Sequence, residues 1–129
     1  MAGEGQPARK VENVSRRENV MLLIVGQKAD KEILEKVATD LAGYVKVVVD
    51  IRRKILSAGG ELHSDGEKLL LEDGSKQTDL WGGGIDLETG EIDFDSMINL
   101  RPRQDNKSRE VLDPKIRKQM ETIIHSLLA

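Results

Sequence analysis

The sequence contains no cysteine and only three aromatic residues among its 129 positions. Without cysteine the chain forms no disulfide bond, no thiolate metal site and no cysteine nucleophile, and this is compatible with a reducing cytoplasm. The aromatic residues are Tyr44, Trp81 and Phe94. Because proteins bind single-stranded bases by stacking them on aromatic rings, this scarcity argues against nucleic acid as a partner.

Long apolar runs are also missing. The longest, residues 20–25, is far shorter than the roughly 20 apolar residues that span a bilayer, and residues 1–19 lack the apolar core of a signal peptide. Residues 1–19 contain too few apolar side chains to offset the entropy lost on ordering, so we expect a flexible extension. We expect a cytoplasmic protein without membrane contact, in which residues 20–129 form a single α+β domain.

Charge is unevenly distributed along the chain, whose net charge is −3. Residues 61–95 contain eleven acidic and two basic residues, whereas residues 101–118 contain seven basic and three acidic residues. This pattern predicts a polarised surface. Two interpretations stay open: a charged surface that only contacts solvent, and a basic surface that contacts an anionic partner.

Hydrophobic patterning predicts an α+β fold, a mainly antiparallel sheet of three to four strands with two to three helices packed on it. Strands are expected at residues 20–25, 78–87 and 91–100. The first has no polar face, which is typical of a strand covered on both sides. Glu88, Thr89 and Gly90 form the pattern of a three-residue hairpin loop that makes the last two strands antiparallel neighbours.

Two helical regions are predicted from spacing and capping signals. Asp113 and Pro114 mark the start of a helix over residues 114–128, in which His125 faces solvent. Apolar residues recur every three or four positions from Leu34 to Ile55, which favours helix over residues 30–58, broken near Gly43. Residues 45–51 also alternate as a strand does, so one helix, two helices and partial strand all remain open.

The basic stretch after the last predicted strand is a candidate anion-binding loop. Arg101 is expected on the outward face where Pro102 ends the strand, and its planar fork suits phosphate or carboxylate oxygens. The predicted loop consists of Arg101, Arg103, Asn106, Lys107, Ser108 and Arg109. Its partner would be an anionic small molecule or an acidic protein surface. The competing interpretation is that Arg101 and Arg103 only neutralise nearby aspartates.

A second candidate site is a row of possible metal ligands. In an extended segment Glu61, His63 and Asp65 project to one side and have side chains that bind metal ions. The alternative is that Asp65 caps a short helix. Gly82, Gly83 and Gly84 do not match a dinucleotide fingerprint or a P-loop, so the sequence predicts no cofactor.

An ordered series of motifs resembles a known family. The motifs are GGELHSDGE (59–67), LLLEDGSKQ (69–77), LWG (80–82), FDSMINLRP (94–102), NKSR (106–109) and DPKIR (113–117). They are similar to those of small prokaryotic proteins described only as a domain of unknown function, over residues 21–129. The resemblance implies a single stand-alone domain in bacteria or archaea, and it implies no activity and no catalytic residues.

The sequence therefore leaves two functional hypotheses. The first is a non-enzymatic binding or regulatory module that holds an anion through residues 101–109. The second is a metal-assisted hydrolase of a phosphate-containing substrate, with Glu61, His63 and Asp65 around the metal. Whether the protein is an enzyme stays open, as does its oligomeric state, for which a homodimer is one alternative.

Overall fold

The structure, a computed structural model, describes residues 9–10, 21–38 and 43–129. This part of the chain forms six strands and three α-helices. In chain order they are β1 (Arg9–Lys10), β2 (Leu22–Val25), α1 (Lys31–Ala38), β3 (Tyr44–Asp50), β4 (Ile55–Gly59), α2 (His63–Glu72), β5 (Leu80–Asp86), β6 (Ile92–Asp93) and α3 (Pro114–Leu128). Three short 3₁₀ turns cover Gln77–Asp79, Met97–Asn99 and Pro102–Gln104.

The strands form one sheet in the order β1-β2-β4-β3-β5-β6, and each paired strand runs antiparallel to its neighbour. The α+β class, the antiparallel sheet and the number of helices are confirmed. The predicted count of three to four strands is too low. Strand β1 lies within the predicted extension 1–19 and pairs with Leu23 and Ile24, while the rest of that extension lies outside the described residues. Its flexibility stays a prediction.

Each face of the sheet packs against different helices. Alternate residues of β3, Val45, Val47 and Val49, are buried on the face that α1 and α3 cover. Val48 is buried on the opposite face, where Leu70 of α2 packs against it. Because β3 is central and covered on both sides, apolar residues of both faces are buried along it.

The helix favoured for residues 45–58 is wrong. Residues 44–59 form the hairpin of β3 and β4 instead, in which Val47 pairs with Ala58 and Val49 with Leu56. A break was predicted near Gly43, and Gly43 does lie between α1 and β3. Its φ is +96°, which a helix does not allow. A central strand buries both faces, so its apolar residues satisfy the helical spacing as well as the strand spacing, although the β-branched valines favour the strand.

The long strand predicted at residues 91–100 is much shorter. Strand β6 is only Ile92–Asp93, after which Asp95 forms an isolated bridge with Glu110. The Ser96 hydroxyl then accepts a hydrogen bond from Ile98 N and caps the turn Met97–Asn99. A short polar side chain that bonds to nearby backbone competes with the strand ladder, which ends the strand early.

Helix α3 has the predicted bounds, and the hairpin of β5 and β6 turns where it was predicted to turn. Helix α3 is Pro114–Leu128, its N-cap Asp113 accepts a hydrogen bond from Lys115 N at 2.8 Å, and His125 is exposed. The hairpin between β5 and β6 turns through Gly90, whose φ is +80°. These two predictions are confirmed.

Candidate functional site

A polar cleft opens where the start of α2 approaches β3, β6 and the segment after β6. It consists of two adjoining cavities, which we call the polar lobe (about 590 Å³) and the mixed lobe (about 340 Å³). Both lobes are lined by Lys46, His63 and Arg109. The polar lobe adds Tyr44, Ile92, Asp93, Phe94, Asp95, Glu110 and Arg117, and the mixed lobe adds Leu62, Ser64, Ser96, Met97 and Ile98.

The glycines of β5 make room for this cleft. A Cβ atom at Gly82 would lie 2.6 Å from Ser96 Cβ and 3.2 Å from His63 Cδ2, and a Cβ atom at Gly84 would overlap the Tyr44 ring. Side chains from three other segments therefore lie directly on the backbone of β5. Glycines inside a strand are typical of such a close approach, and here it is what brings Tyr44, His63 and Ser96 together.

Tyr44 and Asp93 are joined across one wall of the polar lobe. The Tyr44 hydroxyl donates a hydrogen bond to Asp93 Oδ2 at 2.6 Å. Burial, this hydrogen bond and the charges of Asp93 and Asp95 all raise the pKa of the Tyr44 phenol. The phenol therefore stays protonated at neutral pH and acts as a hydrogen-bond donor, not as a base.

His63 occupies the first turn of α2 and is shared by the two lobes. Its Nε2 lies 2.7 Å from the carbonyl oxygen of Gly83, and because a carbonyl only accepts, Nε2 carries the hydrogen. Burial lowers the pKa of His63, and the charge of Lys46 lowers it further. The hydrogen bond to Gly83 and the negative charges of Asp93 and Asp95 oppose both effects. The ring is therefore neutral at pH 7, and Nδ1 holds its lone pair.

The cationic side chains of the cleft differ in whether they form ion pairs. Arg109 Nε lies 3.2 Å from Asp95 Oδ1, and Arg117 lies 2.7 Å from Glu110 Oε1 and over the Phe94 ring. Lys46 differs from both arginines. Its Nζ donates to the carbonyl oxygen of Glu61 at 2.5 Å and forms no ion pair with any carboxylate in the described part of the chain.

Asn99 fixes the outer wall of the cleft to the sheet. Its side chain is fully buried, and its Oδ1 accepts from Gly82 N at 2.8 Å while Nδ2 donates to Gly82 O at 2.9 Å. The amide therefore takes the place of a strand partner beside β5, beyond the end of β6. Nδ2 also donates to the carbonyls of Phe94 and Arg109, which flank the cleft. The position of Arg109 therefore depends on Asn99.

One family of known proteins matches most of the chain. A family model described as "Protein of unknown function (DUF5674)" matches residues 23–127. The chain belongs to the DUF5674 family. This membership confirms the resemblance to a domain of unknown function. Searches of curated proteins and of solved structures gave no match. No helix in the described part of this DUF5674 domain is long and apolar enough to cross a membrane.

Arg101 lies inside the DUF5674 domain, not on its outer face as predicted. It is 9% exposed, and its guanidinium lies 3.9 Å from the centroid of the Trp81 ring. The guanidinium donates to the carbonyl oxygens of Gln77 and Leu80 and to Gln104 Oε1. Burial lowers the pKa of Arg101, and the negative charge of Glu67 acts in the opposite direction. The side chain therefore joins the 101–106 turn to the start of β5.

The other residues of the predicted anion-binding loop are separated from one another. Asn106 is buried, and both ends of its amide bond to backbone of the segment 99–112. Arg103 and Lys107 are exposed outside the cleft, and Ser108 Oγ accepts from Glu110 N. Only Arg109 lines the cleft. The six side chains do not meet at one place, and anion binding by this loop stays a prediction.

The predicted metal row rests on an extended backbone that is wrong. Helix α2 begins at His63, so His63 and Asp65 project about 200° apart around the helix axis. Glu61 precedes the helix, and its carbonyl is the oxygen that Lys46 contacts. In the described residues no group of three or more His, Asp or Glu side chains is arranged to hold a metal ion.

Sequence reasoning missed most residues of the cleft. The spacing of apolar residues places Lys46 in a predicted helix. Lys46 is, however, the one charged residue in the valine-rich run 45–49, and this isolated charge was an available indication that its side chain is exceptional. Ser96 and Met97 fall within the regular strand that the alternation predicts. The three glycines of β5 were the clearest available indication, because they showed where other segments approach the sheet.

Proposed function

We propose that this DUF5674 domain is a binding module for a small anionic molecule, held in the cleft between Lys46, Arg109 and the start of α2. The observation that carries the proposal is Lys46, a half-buried cation with no ion pair among the described carboxylates. A cation in a cleft that has only a neutral carbonyl partner attracts an anion from solvent, because the desolvated charge is incompletely compensated.

The beginning of α2 supports the same proposal. The N-cap Leu62 supplies no side-chain hydrogen bond, so the free N–H groups of the first turn are not capped by a side chain. These groups carry the positive end of the helix dipole, and the first two residues of the helix, His63 and Ser64, line the mixed lobe together with Lys46. Two independent sources of positive potential therefore meet in one cavity.

Among the described residues, no carboxylate lines the mixed lobe, and the acidic residues of the cleft all line the polar lobe. Asp95 is paired with Arg109, Glu110 with Arg117, and Asp93 accepts from the Tyr44 hydroxyl. Each carboxylate thus has its own donor within the polar lobe. Lys46 remains the cation that an incoming phosphate or carboxylate meets.

The test is a titration with inorganic phosphate followed by NMR. We expect the backbone amides of His63 and Ser64 to shift at millimolar phosphate, and Lys46→Gln to abolish the shift. Lys107→Gln is the matched control, since Lys107 is exposed outside the cleft. If the amides do not move, or if Lys46→Gln and Lys107→Gln respond alike, the proposal is wrong.

The metal-assisted hydrolase remains the alternative, and the arrangement of Glu61, His63 and Asp65 lends it no support. Thermal stabilisation by Mn²⁺ or Zn²⁺ that disappears in His63→Ala would favour it. The cytoplasmic location and contact with an acidic protein surface also remain predictions, and they rest on the sequence alone.

A further inference from the structure

We infer that the anion bound in the cleft is an organic one, with an apolar body beside its charged group. This inference rests on the proposed anion-binding function and concerns the class of ligand. It comes from the mixed lobe, where the cations Lys46 and Arg109 share a cavity with Leu62, Met97 and Ile98.

Two of these apolar side chains are exposed although they sit in ordered backbone. Leu62 is 57% exposed at the N-cap of α2, and Met97 is 62% exposed at the first position of the turn that Ser96 caps. Large exposed apolar side chains that share one concave surface are typical of a binding site. Ile98 lies beside them and packs against the core, so it anchors the apolar wall.

Leu62 suits both parts of such a ligand, its charged group and its apolar body. Leucine is among the poorest N-cap residues, whereas Ser, Thr, Asp or Asn would bond to the first-turn amides. A leucine here leaves those amides to the charged group of a ligand and places an apolar side chain next to it. Leu62 alone therefore leaves the amides free for the charged group and supplies the apolar surface next to them.

The size of the mixed lobe fits a molecule larger than a bare anion. Its volume of about 340 Å³ lies within the range of small-molecule sites, roughly 300–1000 Å³. Small-molecule sites combine apolar walls with a few polar groups that fix orientation. The apolar side chains line a cavity together with the cations, which favours a small molecule over a lipid bilayer as the occupant.

The experiment compares matched ligand pairs by NMR titration: phenyl phosphate with inorganic phosphate, and benzoate with acetate. We expect the aryl member of at least one pair to bind roughly tenfold more tightly, with shifts at Met97 and Leu62. Met97→Ser should bring the two affinities of that pair close together and leave the smaller anion unaffected. Leu112→Ser, which removes an exposed leucine outside the cleft, is the matched control.

The outcomes separate this inference from the proposed function. Equal affinities within both pairs, with the anions still bound in the cleft, would overturn the inference and leave the anion site. No binding of any of the four would overturn both. Equal affinities combined with retention on phosphatidylglycerol vesicles that Met97→Ser abolishes would assign the surface to a membrane and also overturn the inference. Because Met97 is exposed, its substitution does not threaten the fold.

Discussion

Replacing Asn99 with alanine tests the anchor that holds the outer wall of the cleft. The wild-type side chain has four hydrogen-bond partners at 2.8–3.1 Å: its Oδ1 accepts from Gly82 N, and the two hydrogens of Nδ2 are shared among the carbonyls of Gly82, Phe94 and Arg109. Alanine satisfies none of them. The two backbone groups of Gly82 lie in the sheet and lose their partners without access to solvent.

The expected cost is set by these bonds. Each buried backbone group left unpaired costs about 1–3 kcal/mol, and each part-buried carbonyl that water can reach costs about 0.5–1 kcal/mol. Asn99→Ala should therefore lower the free energy of unfolding by at least about 3 kcal/mol, the sum of the lower ends of these ranges, which is a large part of the roughly 5–15 kcal/mol that is typical of whole proteins. The loss should be accompanied by weaker phosphate binding, because the position of Arg109 depends on Asn99.

Urea unfolding followed by the fluorescence of Trp81 measures this change, since Trp81 is the single tryptophan and is buried. Gln119→Ala is the control: it removes an exposed amide from α3 and should change stability by no more than about 0.5 kcal/mol. A loss below about 1 kcal/mol for Asn99→Ala, with an unchanged denaturant slope, would refute the reasoning. It would mean that water replaces the amide beside β5.

The same contacts and the sequence support three further predictions. Gly84→Ala should destabilise the fold by about 1–3 kcal/mol, because a Cβ there overlaps the Tyr44 ring, and the loss should shrink in a Tyr44→Ala background when both are measured by thermal melting. Because burial lowers the folded pKa of His63 below its unfolded value of about 6.5, the unfolded chain binds the proton more readily, and stability is lost as pH falls below that value. Wild type should therefore lose more free energy of unfolding than His63→Gln between about pH 7.5 and about pH 5.5, and equal losses would contradict the assigned shift. Deleting residues 1–19 removes the two-residue edge strand β1 but almost no apolar side chain, so the melting temperature should change little, and a clear drop would show that the pairing of β1 with β2 stabilises the domain.

The sequence by itself determined the elements whose signals lie within a few residues of one another. Asp113 and Pro114 define the start of α3 because the cap bonds to an amide two residues later, and Gly90 defines a hairpin loop because only a few backbone angles close it. Such contacts depend on no other part of the chain. His63 and Arg109 could also be identified as candidates from residue type alone, although in two separate sites.

Only the tertiary structure decided which side chains meet. A glycine pair such as Gly59 and Gly60 is typical of a helix end, but here it lies at the end of β4, where a Cβ at Gly59 would overlap the carbonyl of Met21. Arg101 turns inward because its guanidinium bonds to the backbone carbonyls of Gln77 and Leu80, more than twenty residues away.

The cleft shows the same division. Lys46, His63 and Arg109 come from β3, α2 and the loop after β6. The local order of polar and apolar residues carries no information about which strands become neighbours. Sheet order is fixed by burial summed over the whole chain, since both faces of β3 must be covered at once. Local spacing in residues 45–58 fits helix and strand alike, so the choice between them, and with it the position of Lys46, is made by packing against distant segments.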